Sequence, residues 1–558
     1  MNTIDVITLE LVKNALNAAA VEMQATVERA AYSQTIREVG DASSSLFDRK
    51  GRLVAQATAL PIQLAGSSVA VKEILRVFPV DTMRPGDIFI LNNPFNGGSH
   101  PPDLILTMPY FSDGVLSGFG CNYAHHHDVG GMSPGSIPPL STEIYQEGIL
   151  IPPLRLMDAG KLNDTLIAML KDNVRLPEDL MGDLRAQMAA LHVGQERYEE
   201  ILERFGREVV PAATDELLAR TEAAFREAVK HIPDGVYEFE DVLDDDGFTP
   251  GVPIPIRAEV TVSGDEIHVD FSKTAPQTRG SLNCPLASSL SAVYAVLKVI
   301  VDPHDDIPNN EGVYSAVRVT IPVGSLLNPQ RPASVSSRPE TQARIANVVM
   351  GALAAAVPER VMAQDAGQMA VAMFSGTHPK TGRYFVKLEI GVGGWGGRLS
   401  SDGPDALDMI VSNLSNTPVE AVEMSFPLRV ERYELLPDSS GAGRHRGGLG
   451  IRRDVRALSN IDLAVRGERQ SIGPRGFFGG LSGQPAKWVL TRADGTTQVL
   501  QCKQAGIEMA PGDMLTTITP GGGGYGPPAE RDPVAIRDDL LNGMITPAAA
   551  RRDYGPAW

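Results

Sequence analysis

Four of the ten histidines in this chain fall between His100 and His127, and two aspartates, Asp103 and Asp128, sit beside them. The segment from Leu91 to Gly131 reads LNNPFNGGSHPPDLILTMPYFSDGVLSGFGCNYAHHHDVGG. Imidazole nitrogens and carboxylate oxygens are the donors that a borderline divalent ion selects. No cysteines at zinc-finger spacing accompany them. A small mixed set of N and O donors keeps a coordination position open, the layout of a catalytic metal. Three adjacent histidines cannot all point one way on a strand, because neighbours face opposite sides. If the run is extended, either His125 and His127 share a side or His126 faces it alone. Asp103 is the expected partner carboxylate, and Asp128 a candidate for orienting a ligand from behind.

These donors can meet only if the chain between them doubles back. LILTMPYF and VLSGFGCNYA read as two strands joined at Asp113-Gly114, a strong hairpin signal. His100 and Asp103 precede the first strand and His125 follows the second, so antiparallel pairing brings the two ends together. Pro101 and Pro102 exclude a helix here, and His100 must reach Asp103 by a turn.

Other candidates are weaker. Glu143 and Glu147 in TEIYQEG would share one helical face at i,i+4, as a base or ligand near the metal or as a solvated face. Asp244-Asp245-Asp246-Gly247 lacks the spacing and the Glu of an EF-hand and reads as a polar turn. The glycine clusters at 391–397, 438–450 and 519–526 match no Walker A pattern and read first as tight turns, with Arg444, Arg446, Arg452 and Arg453 adding some anion-binding character to the second. Cys121 has no base partner and reads as core. No GxSxG hydrolase elbow occurs.

The elements that must position this chemistry follow from periodicity. Apolar residues at three-to-four spacing predict helices over 5–33, 176–206 and 212–230. Period-two alternation at 256–262 and 267–271 predicts a half-buried antiparallel sheet, and Leu286 to Val301 and Ala343 to Val357 read as buried apolar helices. The last third reads as short strands and glycine turns with a helical tail near 533–552. The expected fold class is α+β with several subdomains, antiparallel sheets, packed helices and glycine-rich loops. Four segments are expected: 1–175 with the metal-site hairpin, a helical 176–235, a sheet with apolar helices over 236–390, and a glycine-rich β region over 391–558. A length of 558 residues agrees with roughly three or four domains or subdomains.

A net charge of −18 argues against nucleic acid and against an anionic membrane surface, both of which need clustered Lys and Arg. Three widely spaced cysteines imply no disulfide framework. With no signal peptide and no membrane span in evidence, the expected compartment is the cytoplasm.

Taken together, the motifs ITLELVKNAL, GRLVAQA, NNPFNGGSHPPD, AHHHDVGG, PGSIPPLSTEIYQEGILIPP, DLRAQMAAL, ETQAR, SNTPVEAVE, LLPDSSGAGRHRGGLG and TPGGGGYGPPAERDP resemble the hydantoinase B / 5-oxoprolinase family over nearly the whole chain. That family includes B subunits of ATP-dependent N-methylhydantoinases and related subunits of acetone and acetophenone carboxylases. The resemblance implies a hetero-oligomer in which an ATP-binding A-type subunit phosphorylates the carbonyl oxygen of a cyclic amide, or a ketone enol. The B-type subunit then completes the reaction at one divalent metal ion (Mn, Zn or Fe), with ATP bound by the partner only. The family's ligands fall here on His100, Asp103 and His125. His126, Asp128 and Glu143 are candidates for proton transfer or ligand support. A lactam such as a hydantoin or 5-oxoproline is the leading expected substrate. A ketone carboxylase subunit is the alternative, a non-catalytic assembly subunit is a third reading, and homodimerisation of this chain is a further expectation. Two departures bear on the substrate: Asn93-Pro94-Phe95 stands where the family often has Asp-Pro-Tyr, and Gln63 where it often has His.

Overall fold

The expected hairpin is the centre of a seven-stranded sheet. In the computed structural model, which describes residues 4–57 and 60–558, its strands are β1 (Ala42–Asp48), β2 (Leu53–Gln56), β3 (Ile88–Leu91), β4 (Asp103–Ser112), β5 (Val115–His125), β6 (Leu154–Asp158) and β7 (Lys161–Leu162). Their order is β2-β1-β5-β4-β3-β6-β7, with every pair antiparallel. Asp113 (φ 50°) and Gly114 (φ 76°) both take left-handed backbone, the two-residue turn whose twist matches the flanking strands.

Strand β4 shows almost no polar alternation because both its faces are covered. Leu104, Leu106 and Tyr110 pack with Val12, Leu16, Leu184 and Leu191, which belong to the helices Val6–Ala30 and Pro177–Phe205. On the other face Ile105, Phe119, Cys121 and Tyr123 pack with Val71 and Ile74 of the helix Leu64–Val77. The sheet is thus the middle of three layers, and its odd-numbered side chains at Asp103, Tyr123 and His125 share the second face.

A second core surrounds the four-stranded sheet Gly235–Leu243, Ile254–Ser263, Glu266–Asp270 and Val317–Thr320. Its predicted period-two strands are present, but Glu266–Asp270 pairs in parallel with Val317–Thr320, so the sheet is mixed rather than purely antiparallel. The helices Leu286–Val301 and Arg338–Leu353 fill this core. The second begins five residues before its apolar run and is buried at every position, with Arg338, Glu340, Gln342 and Arg344 among them. The apolar pattern marked its interior and missed its polar first turn.

The last third forms two further sheets, of four and five strands, with Phe374, Leu463, Trp488 and Leu515 in a common core. The glycine clusters are neither isolated turns nor phosphate cradles. They lie against one another, with Gly394 N–H donating to Pro520, Gly397 to Gly523, Gly448 to Trp395, Gly522 to Gly448 and Gly441 to Gly522. The neighbouring arginines are consumed internally: Arg446 by Asp405 and Asp539, Arg453 by Glu389, Arg452 by Asp454. Two short helices, Pro533–Leu541 and Pro547–Tyr554, close the chain.

A side chain within this glycine layer would collide with backbone. A Cβ at Gly522 would lie 1.9 Å from the Trp395 carbonyl oxygen. Gly522→Ala is therefore expected to destabilise the chain by about 1–3 kcal/mol or more, read as a lowered urea midpoint at unchanged m-value.

Candidate metal centre

Strand register alone places two of the three expected donors. Asp103, the first residue of β4, pairs directly with His125, the last of β5. His100 arrives by the predicted turn: its carbonyl accepts from Asp103 N–H at 3.0 Å across Pro101-Pro102. Asn92 holds this turn from behind, donating to the Pro101 and Ile149 carbonyls and accepting from Ile151 N–H. One donor atom from each of His100, Asp103 and His125 lies within 4.8 Å of the others, and all three residues are buried.

Asp103 anchors the cluster. Its Oδ2 accepts from Tyr123 Oη (2.8 Å), from Arg338 (2.7 Å) and from Ser99 Oγ. Burial alone would raise its pKa, but the permanent charge of Arg338 beside it holds the carboxyl well below its usual range. Burial lowers His100 to about 3, leaving a neutral imidazole at physiological pH. His100 Nδ1 approaches Asp103 Oδ2 to 2.8 Å yet makes no hydrogen bond. An ionised carboxylate, a neutral imidazole and an unpaired ring nitrogen converging at this distance fit a divalent cation.

The other sequence candidates separate. His126 turns to the opposite face, where its Nε2 lies 2.9 Å from Gln187 Oε1 on the helix Pro177–Phe205. His127 Nδ1 lies 3.5 Å from Asp179 on the same helix. Beyond the end of β5 the run no longer alternates, and His125 alone serves the cluster. Asp128 accepts from Gly130, Gly135 and Arg175, so its carboxylate organises the following loop. Glu143 and Glu147 do not share a helical face. They flank one turn of 3-10 helix, Ile144–Gln146, with Glu143 exposed and Glu147 buried. Glu147 Oε1 accepts from Val335 and Ser336 N–H and from Ser334 and Ser141 hydroxyls, a strut beneath the segment that leads into Arg338.

Several residues of the site carry no signal visible beforehand. Asp41, just before β1, lines the same cavity as His100 and His125, and burial raises its pKa to about 6. Gln63 donates to Asp41 Oδ1 at 2.9 Å and accepts from Ser43, so this departure does touch the pocket. Asn93, the other departure, accepts from Phe95 N–H and shapes a turn. Arg338 and Arg466 come from the second core and the C-terminal sheets. Aliphatic residues including Leu60, Ile62, Met369, Val371 and Ile390 complete the wall. Tyr123 was recoverable in principle, two residues before His125 on one strand; Arg338 was not, being 235 positions from Asp103.

Two expectations follow from burial. Cys121, Cys284 and Cys502 are buried free thiols raised by desolvation to about 11, 12 and 12. Ellman's reagent at pH 8 should leave native chain essentially unlabelled and titrate all three cysteines in denaturant. Glu340 is raised from 4.5 to about 7, chiefly by burial, with Arg466 opposing. Between those values the folded chain holds a proton that the unfolded chain has lost, so stability falls as pH rises from 4.5 through 7. The full effect is about 3 kcal/mol. Glu147 and Asp41, raised by burial to about 7 and about 6, add slope of the same sign, so denaturation across this range should show the combined fall and Glu340→Gln should reduce it; an unchanged slope would assign it elsewhere.

A hydantoinase B/oxoprolinase family model matches residues 5–528. Caprolactamase subunit beta of Pseudomonas jessenii is 32% identical over 567 residues, covering 100% of this chain and 96% of that protein. The crystal structure of an ATP-dependent caprolactamase from the same species superposes with a TM-score of 0.93 at 31% identity, over 99% of this chain and 96% of that one. A nucleotide-free acetone carboxylase structure gives a TM-score of 0.90 at 20% identity, covering 98% of this chain and 79% of that one, a likeness of fold.

Proposed function

The chain belongs to the hydantoinase B/oxoprolinase family, and from that premise we propose that it is the B-type subunit of an ATP-dependent cyclic amidohydrolase. Membership carries hydrolase activity within a hetero-oligomeric enzyme. The finer reading is that a partner A-type subunit uses ATP to phosphorylate the carbonyl oxygen of a lactam or hydantoin, and that this chain opens the activated ring. The observation that carries it is the buried convergence of His100, Asp103 and His125.

In this reading those three residues hold one divalent ion, Mn, Zn or Fe, which when bound supplies Lewis acidity and lowers the pKa of water. The chain's own contribution is electrostatic and steric. Arg338 keeps Asp103 ionised, burial keeps the His100 lone pair available, and the aliphatic wall excludes bulk water from the reacting ring. Asp41 is best placed to join the donors or to take a proton. His126 and Asp128, whose nearest partners are Gln187 and the 130–135 loop, act as supports of the hairpin.

The hydrolase reading leads over a ketone carboxylase because the chain matches the caprolactamase over 96% of its length, against 79% of the acetone carboxylase chain. The intact donor set argues against a non-catalytic assembly subunit. Cytoplasmic residence is supported by three buried free cysteines, and no helix among the described residues is long and apolar enough to cross a membrane. Ile7, Leu11 and Val21 are exposed along the helix Val6–Ala30, an apolar stripe suited to contact with a second copy or with the A-type subunit.

Elemental analysis tests the centre. Wild type should carry about one divalent ion per chain and lose it in His100→Ala and His125→Ala, with Tyr123→Phe weakening affinity about 10–100-fold. Asp41→Asn separates its two roles: loss of metal makes it a ligand, and retained metal with lost ring opening makes it a proton acceptor. Wild type that takes up none of the three metals sinks the mechanism.

A further inference from the structure

Beside the triad, two buried guanidiniums on residues that line the same cavity each leave one N–H without a hydrogen-bond partner. Arg338 and Arg466 are each 3% exposed and both line the cavity that contains His100 and His125. Each guanidinium is pinned by its terminal nitrogens. Arg338 donates to Asp103 Oδ2 (2.7 Å) and to Gln342 Oε1, and Arg466 donates to the Ser336 carbonyl (2.7 Å). In both the Nε–H has no hydrogen-bond partner. Ser412 Oγ, on the same wall, lies near Asp408 without hydrogen-bond geometry to any group.

Buried donors are nearly always satisfied, and unpaired guanidinium N–H groups on two residues that line one cavity call for an acceptor from outside the chain. The nearest internal acceptor is Glu340 Oε1, 3.5 Å from Arg466 Nε, and it too lacks a hydrogen bond. Two guanidiniums held in place by their own contacts lose little freedom on binding, and planar N–H edges suit the oxygens of a phosphoryl group better than a neutral amide. We propose that Arg466 and Arg338, with Ser412, form an oxyanion subsite that takes the phosphoryl group of the activated substrate. This deepens the cyclic-amidohydrolase reading and rests on it for the source of the phosphoryl group. The consequence is selectivity: an unphosphorylated lactam would leave both edges buried and unpaired, so the pocket discriminates in favour of substrate that the ATP-using partner has already processed.

The test uses purified full-length chain, with and without EDTA, titrated calorimetrically with inorganic phosphate and, separately, bicarbonate. Expected is saturable binding of one phosphate per chain that persists in EDTA. Arg466→Gln should weaken it at least tenfold and Arg466→Lys less, with metal content unchanged in chain that remains folded. Ser412→Ala should weaken it severalfold, and that variant together with Arg466→Lys decides the question if Arg466→Gln does not fold. Phosphate binding equal to wild type in folded Arg466 and Ser412 variants overturns the subsite, as does absence of binding in wild type. Arg466-dependent bicarbonate binding without phosphate binding overturns the phosphoryl assignment. Metal content, measured on the same samples, separates the two readings: phosphate without metal leaves the subsite standing and removes the metal mechanism, and metal without phosphate does the reverse.

Discussion

One desolvated carboxylate organises the centre of this molecule. Asp103 sits 1% exposed at the end of a hairpin, and a charge so placed is tolerable only if every lone pair is answered. Tyr123 answers it from within the first sheet, and Ser99 from the loop that leads into β4. Arg338 answers it from the first turn of a helix belonging to another core. That contact ties the three-layered N-terminal region to the second core by a buried ion pair, whose disruption typically costs 3–5 kcal/mol. Positioning of the site and docking of the two regions are therefore the same interaction. Arg338 also keeps Asp103 anionic, so the contact that fixes the architecture sets the charge of the donor set.

The parts of the centre legible in the sequence were those governed by local rules. Asp113-Gly114 specifies a hairpin, the hairpin implies a register, and Pro101-Pro102 implies a turn; together these bring His100, Asp103 and His125 to one place. The helices Val6–Ala30, Pro177–Phe205 and Val209–Val229 follow from a single period, whereas Leu64–Val77 and Asp164–Asp172 are not anticipated. What stayed hidden was set by long-range packing. Nothing near Arg338 or Arg466 marks them as facing a cavity, because their exposure to it depends on how three cores meet. The Glu143/Glu147 spacing misled for the converse reason: i,i+4 means a shared face only if the segment is helical, and Ile144–Gln146 makes only one tight turn. The His125–His127 run likewise stopped alternating where β5 ended, which tertiary contacts with Gln187 and Asp179 decided.

The glycine clusters show a different limit. Read singly, each resembles a loop with special backbone needs. Together they form a layer in which peptide groups of distant segments donate to one another with no side chains between them. Composition reveals the abundance of glycine but not its partner, since the partner is another glycine segment far along the chain. This layer closes the C-terminal sheets that supply Arg466 and part of the aliphatic wall, so its close packing bears on the pocket although none of its peptides lines it.

The turn and hairpin that carry the three donors occupy a short, contiguous stretch, whereas the wall facing them is completed only by Arg338 and Arg466. A ribosome therefore delivers the entire donor set well before it delivers the opposing arginines. Closing the donor set requires only a small loop, while enclosing the cavity requires contacts separated by hundreds of positions. Synthesis from N- to C-terminus thus presents the donors first as an open site and only later as one wall of a cavity.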